Sequence, residues 1–164
     1  MLNKLFSLEK KIFQIEKKII IILLFLMIAL SFLQFSLRFF FHSGIIWMDI
    51  FLRYIVLNTA MIAAAIVSYE NRHFAMDAVF NFINTRYHRA LKIISNIFVM
   101  IVLIIFFMAS YKFVKMEFLA NSEAFIIGEM KIKSYIMEIS LPLSFFLMLF
   151  HTFLNCFKTE TETK

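Results

Sequence analysis

The chain has 164 residues, the length of one ordinary domain, yet 62% of them are apolar, with 23 Phe, two Gly and one Pro. A soluble fold of this size has too little interior to hide that much apolar surface, so much of the chain must face lipid. The formal charge of +6 with a single cysteine, Cys156, excludes an internal disulfide framework and any cysteine-based metal cluster.

The first segment, 1–18, alternates polar and apolar positions at helical spacing. Lys4, Ser7, Lys11, Gln14 and Lys18 form a stripe, and Leu5, Phe6, Ile12 and Phe13 fill much of the remainder. It reads as an amphipathic helix in the headgroup region, its lysines reaching lipid phosphates. Glu9 and Glu16, and the lack of a small-residue cleavage site, argue against a secretory signal. The charge-free run from Ile19 to Leu37 follows, and the first span is expected over about 19–41. Such a run covers the ~30 Å hydrocarbon core as a helix. The second span, about 45–69, contains Asp49 and Arg53 near its start but is uncharged from Tyr54 to Tyr69. Beyond it, His73, Asp77, Asn81 and His88 share one helical face, opposed by Phe74, Ala78, Phe82 and Ile83, which predicts a second interfacial helix. The third span is expected at about 93–111. The 112–138 connection mixes apolar and charged residues and is too long for a tight turn; packing on the helix ends would suit it. The fourth span is expected at about 136–157, so that 19–157 forms the membrane domain, with a tail at 158–164.

Orientation follows from Lys and Arg. Lys4, Lys10, Lys11, Lys17, Lys18, Arg72, Arg86, Arg89, Lys92, Lys158 and Lys164 fall on one side. The other side carries only the four lysines of the 112–138 connection, matched by four glutamates. The positive-inside rule therefore predicts an all-α integral membrane protein of four transmembrane helices with both termini in the cytoplasm.

Four charged residues match in predicted depth near the outer surface. Arg38 closes the first span, Asp49 and Arg53 open the second, and Glu138 opens the fourth. Pairing would lower the cost of each charge near lipid and fix helix rotation, so a balanced layer of these four is expected. The bland alternative is that each reaches separately for the headgroups. At the inner exit of the second span, Arg72, His73 and Asp77 are expected to fix the turn from a spanning to an interfacial helix, His73 and Asp77 being one helical turn apart. The bland alternative there is a solvated helix start.

Enzymatic chemistry has little support: Gly-rich phosphate loops, HExxH, GxSxG and CxxC patterns are absent. The histidines, His42, His73, His88 and His151, fall at unmatched depths, unlike a bis-histidine haem site, and His151 has no partner of that kind in the pattern. No cofactor, metal or nucleic-acid partner is expected. A stand-alone small transporter of four helices is a rival reading. It usually needs a carboxylate deep in a span, whereas Asp49 and Glu138 sit near the outer ends.

The segment Trp47-Met48-Asp49-Ile50-Phe51-Leu52-Arg53-Tyr54 resembles the "W-x-acidic…R" opening of the second helix in small permease (Q) subunits of tripartite ATP-independent periplasmic (TRAP) transporters. Arg38 resembles the arginine that closes that family's first helix. Glu70-Asn71-Arg72-His73-Phe74-Ala75-Met76-Asp77 is similar to its "H-x-x-x-D" cluster, and Leu141-Pro142-Leu143-Ser144-Phe145 to its "L-P-L-G-F" motif. Departures are Ile50 where a second acidic residue is frequent, Ser144 for the motif's glycine, and small residues (Thr59, Ala60, Ala63, Ala64, Ala65) where a glycine usually interrupts the second helix. The resemblance implies a scaffold in the bacterial inner membrane. Its implied partners are a large multi-helix permease that carries substrate and sodium, and a periplasmic substrate-binding protein. The implied cargo is an organic acid of the C4-dicarboxylate or sialic acid class.

Overall fold

A computed structural model describes residues 2–70 and 88–161, with side chains described over 5–70 and 94–155. The elements are α1 (Leu2–Phe41), α2 (Ile46–Glu70), α3 (His88–Ala120), β1 (Glu123–Ile127), β2 (Met130–Lys133), α4 (Ser134–Glu138) and α5 (Ser140–Thr161). Among the described residues four stretches are long and apolar enough to cross a membrane: Leu5–Phe41, Ile46–Glu70, Ile94–Ala120, and α4 with α5 over Ser134–Asn155.

No break separates the 1–18 segment from the first span. α1 is one helix of 40 residues, about 60 Å at ~1.5 Å per residue and twice the hydrocarbon thickness. Neither Gly nor Pro occurs before Gly44, so nothing in the sequence ends the helix earlier. The interfacial helix expected between spans two and three lies largely outside the described residues.

The helices form an open row. α1 packs on α2, α2 on α5, and α5 on α3, leaving α1 and α3 as edges. The small residues of α2 permit its close approach to α5. Ala65, Leu103 and Met148 form the buried core there, surrounded by Met61, Ala64, Val99, Phe145, Leu147 and Leu149. On the edges large apolar side chains stay uncovered, Phe25 at 75% and Phe32 at 70% exposure on α1, and Phe98 at 66% on α3.

The break between α4 and α5 follows from Pro142. It lacks the N–H that would bond the carbonyl of Glu138, and its ring crowds that carbonyl. The helical path nevertheless continues through Ile139, which donates to the Tyr135 carbonyl at 3.0 Å and accepts from Leu143 at 3.4 Å.

The 112–138 connection has more structure than a packed loop. α3 runs on to Ala120 and stops in a Schellman cap: Asn121 takes a φ of 53°, Asn121 N–H donates to Phe118 O at 3.3 Å, and Ser122 N–H to Glu117 O at 3.4 Å. An antiparallel hairpin follows, Ile127 facing Met130 across the two-residue turn Gly128–Glu129. Gly128 has a φ of 60°, as the first central position of a type II′ turn requires. Phe125 is the buried residue of β1, 6% exposed. Its ring lies 5.8 Å from that of Phe51 and 6.4 Å from that of Trp47. With Ile127, Ile132 and Met137 these three rings line an apolar cavity of about 180 Å³. Lys131 Nζ bonds Glu123 Oε1 across the strands at 2.9 Å.

Candidate functional site: polar contacts at both ends of the helix row

At the hairpin end the α1–α2 turn is organised by Gln34, 4% exposed. Its Nε2 donates to Ile45 O and to Asp49 Oδ1, each at 3.1 Å, and its Oε1 accepts from Ile45 N–H at 3.3 Å. One amide thus satisfies both backbone groups at the start of α2, where a helix leaves its N–H groups unpaired. The other oxygen of Asp49 pairs with Arg38 Nη2. A Cβ at Gly44 would come within 2.9 Å of Arg38 Nε and 3.1 Å of Gln34 Nε2, so a side chain there would push against the two groups that bond Asp49. His42, with φ 47°, is the left-handed residue after α1.

Glu138 is 9% exposed and belongs to a separate group. Its Oε1 lies 3.5 Å from Tyr54 Oη, and its Oε2 is buried with no hydrogen-bond partner. Asn58 stands beside it, donating to Tyr54 O at 2.8 Å and Met137 O at 3.4 Å, which ties α2 to α4. Of the four residues expected to form one charged layer, the structure therefore brings Arg38 to Asp49 and places Glu138 against Tyr54. Arg53 is exposed and bonds neither carboxylate. The physical reason is that both oxygens of Asp49 are already engaged from α1, Oδ1 by Gln34 and Oδ2 by Arg38. Arg72, His73 and Asp77 lie outside the described residues.

At the opposite end lies a cluster that sequence reasoning missed. His151 is completely buried, and its two ring nitrogens face two carboxylates of α1: Nδ1 to Glu9 Oε1 and Nε2 to Glu16 Oε1, both at 3.4 Å. Glu9 is 1% and Glu16 4% exposed. The Tyr69 ring stands edge-on to His151 at 5.4 Å and is stacked by Phe13 at 3.8 Å. Lys17 Nζ covers the same Phe13 ring at 4.3 Å. Asn155 Nδ2 donates to Ser68 O at 2.7 Å, satisfying a carbonyl in the last turn of α2. The signal was present in the sequence. Glu9 and Glu16 are seven residues apart, two helical turns, and lie on the face opposite Lys4, Lys11 and Lys18. Reading the lysine stripe as the only polar face concealed a second, acidic one.

Neither end is a catalytic constellation. Among the described residues no group of three or more His, Cys, Asp or Glu is arranged to hold a metal ion. Both sets join helices: one fixes α2 against α1, the other fixes the N-terminal arm of α1 against α5.

A search of curated proteins found no match. The profile of the family described as "Tripartite ATP-independent periplasmic transporters, DctQ component" matches residues 27–161, which takes in the C-terminal part of α1 from Met27 and everything after it through α5. The last three apolar spans and the end of the first, the Asp49 and Arg38 motifs around the first turn and the Pro142 motif all fall inside that match, and the chain belongs to the DctQ family, the small membrane component of TRAP transporters.

Proposed function

We propose that the chain is a non-enzymatic scaffold of the bacterial inner membrane, with both termini cytoplasmic, that braces a large permease subunit during import of an organic acid. The C4-dicarboxylate and sialic acid classes are the substrates in view. Sodium and substrate pass through the large subunit, and a periplasmic binding protein delivers the cargo. The observation that carries this reading is the family match over the helix row, because the family is one component of a three-part machine. The open row supports it: α1 and α3 offer long uncovered apolar faces suited to lipid on one side and a large helical partner on the other. The polar contacts suit bracing too, since they lock helix to helix at both ends.

The test is reconstitution. A tagged chain should co-purify with the large permease, and proteoliposomes should take up organic acid on a sodium gradient only with both membrane subunits and the binding protein. The chain alone should move none. Robust uptake by the lone chain would overturn the scaffold reading in favour of a stand-alone four-helix transporter.

A further inference from the structure

We infer, resting on the scaffold reading for the partner's identity, that the groove between α2 and α3, over α5, seats a transmembrane helix of the large permease subunit. That helix brings a carboxylate to Arg53.

Between Ile46 and Glu70 the exposed residues of α2 are Arg53, Val56, Ala60 and Val67. Their spacings of three, four and seven residues put them on one face of the helix. Ala64 lies eleven residues beyond Arg53, about three turns at ~3.6 residues per turn, so it falls on the same line ~16 Å further in. There the exposed face meets a groove. α2 and α3 both pack on α5 and little on each other. The gap between them is an apolar groove of about 370 Å³, with Met61 and Ala64 of α2 on one wall, Val102 and Phe106 of α3 on the other, and Phe145 and Met148 of α5 as its floor. The small side chains of Ala60 and Ala64 let a second helix approach α2 closely.

Arg53 decides between a helix and an acyl chain as the occupant. It stands seven residues into α2, ~10 Å from the helix start, where a guanidinium without an anion is costly. This chain supplies no anion for it. Asp49 has both oxygens engaged from α1, Glu138 faces Tyr54, and among the described residues no carboxylate bonds Arg53. The way outward is largely apolar too. Ile46, seven residues before Arg53 and on the same line, borders a gap together with Trp47, Ile50 and the hairpin residues Phe125 and Ile126. An acyl chain in the groove would leave the guanidinium unpaired. A helix lying in the groove and along Ala60 and Val56 covers the apolar face and meets Arg53 with one acidic residue, about three turns from the side chains it seats beside Ala64. Lipid then meets the opposite edge of the row, α1, where Phe25 and Phe32 are uncovered.

The test co-expresses the full tagged chain with the large permease, a photoreactive side chain replacing Ala60 in one version and Phe32 in another. Irradiated in intact membranes, the Ala60 probe is expected to capture the permease and the Phe32 probe only lipid. Arg53→Glu should lower the amount of permease recovered with the chain by about tenfold or more, as loss of a charge pair away from water does, and Arg53→Lys should keep most of it. Ala60→Trp adds bulk at an exposed position, so the lone chain should insert and unfold as wild type while recovery falls. Capture from Phe32 and not from Ala60 would overturn the inference and leave the scaffold reading standing. Unchanged recovery in Arg53→Glu, with lipid alone captured at Ala60, would assign the groove to acyl chains and overturn it as well. Permease recovered with no version, wild type included, would overturn both. Should Arg53→Glu fail to insert, full recovery in Ala60→Trp would overturn the inference by itself.

Discussion

Substituting Gln34 by Leu tests whether a neutral amide, rather than the visible ion pair beside it, holds the α1–α2 turn. Gln34 makes three hydrogen bonds, two to the backbone of Ile45 and one to Asp49. At ~0.5–1.5 kcal/mol net for each bond, its removal should cost about 2–4 kcal/mol, more if the Ile45 groups stay buried and unpaired. The Arg38–Asp49 pair is the weaker element, because its side chains are 58% and 36% exposed in the chain. Discounted for that exposure, such a pair contributes ~0–1 kcal/mol. Asp49→Ala still leaves Gln34 bonded to Ile45, so its loss should stay near that lower figure. The measurement is reversible unfolding in mixed micelles of Gln34→Leu, Asp49→Ala, Arg38→Ala and Arg53→Ala, with double-mutant cycles. Arg38 and Asp49 should be coupled, whereas Asp49 and Arg53 should be additive. Asp49→Ala proving costlier than Gln34→Leu would refute the reasoning, and so would a strong Asp49–Arg53 coupling.

Phe125→Ala should undock the hairpin at a cost of about 3–5 kcal/mol for a buried Phe, and Trp47, the single tryptophan, should report it as a red-shifted emission. The Lys131 ammonium bonded to Glu123 holds that carboxyl below its ordinary range. Its contribution to hairpin stability is therefore present above the unfolded value of ~4.3 and lost only as pH falls through the lower folded value. An acid titration of Trp47 emission should show this step, and Glu123→Gln should abolish it. Single cysteines at Asn3 and Thr163, in a Cys156→Ser background, should resist impermeant thiol reagents in intact cells while one at Ser122 reacts; labelled termini would reverse the orientation.

The spans were legible because their signal is one-dimensional. Uncharged runs such as Ile93–Tyr111 and Ile139–Phe157 must be helical in lipid whatever they pack against. Their lengths were less legible. α3 continues through Lys112, Lys115 and Glu117 to Ala120, since charge ends a hydrophobic run but does not end a helix. The hairpin had its own mark, Ile126-Ile127-Gly128-Glu129-Met130 with alternating Lys131-Ile132-Lys133, but the mixed composition of 112–138 obscured it. Partner choice was not legible at all. Asp49 has arginines at Arg38 and Arg53 within plausible reach, and only the contact with α1, where Gln34 takes one carboxylate oxygen and Arg38 the other, selects the first. His151 and its two glutamates lie more than 130 positions apart in the chain, so no local pattern joins them.

The places where pattern reading stopped share a cause in the physics of α1. As an edge helix it has a largely uncovered middle, and apolar contact in lipid does little to choose a rotation or a depth, because acyl chains compete equally for the same surface. What chooses them must be polar and must lie where polar groups are tolerated. Glu16 and Gln34 are eighteen residues apart on α1, about 27 Å along the helix, close to the ~30 Å hydrocarbon thickness. Each bonds a neighbouring element, Glu16 through His151 of α5 and Gln34 through Ile45 and Asp49 at the start of α2. The helix least held by packing is thus held by side-chain bonds at both membrane boundaries. A register shift of α1 by one residue would rotate both bonding groups off their partners by about 100° at once, given ~3.6 residues per turn.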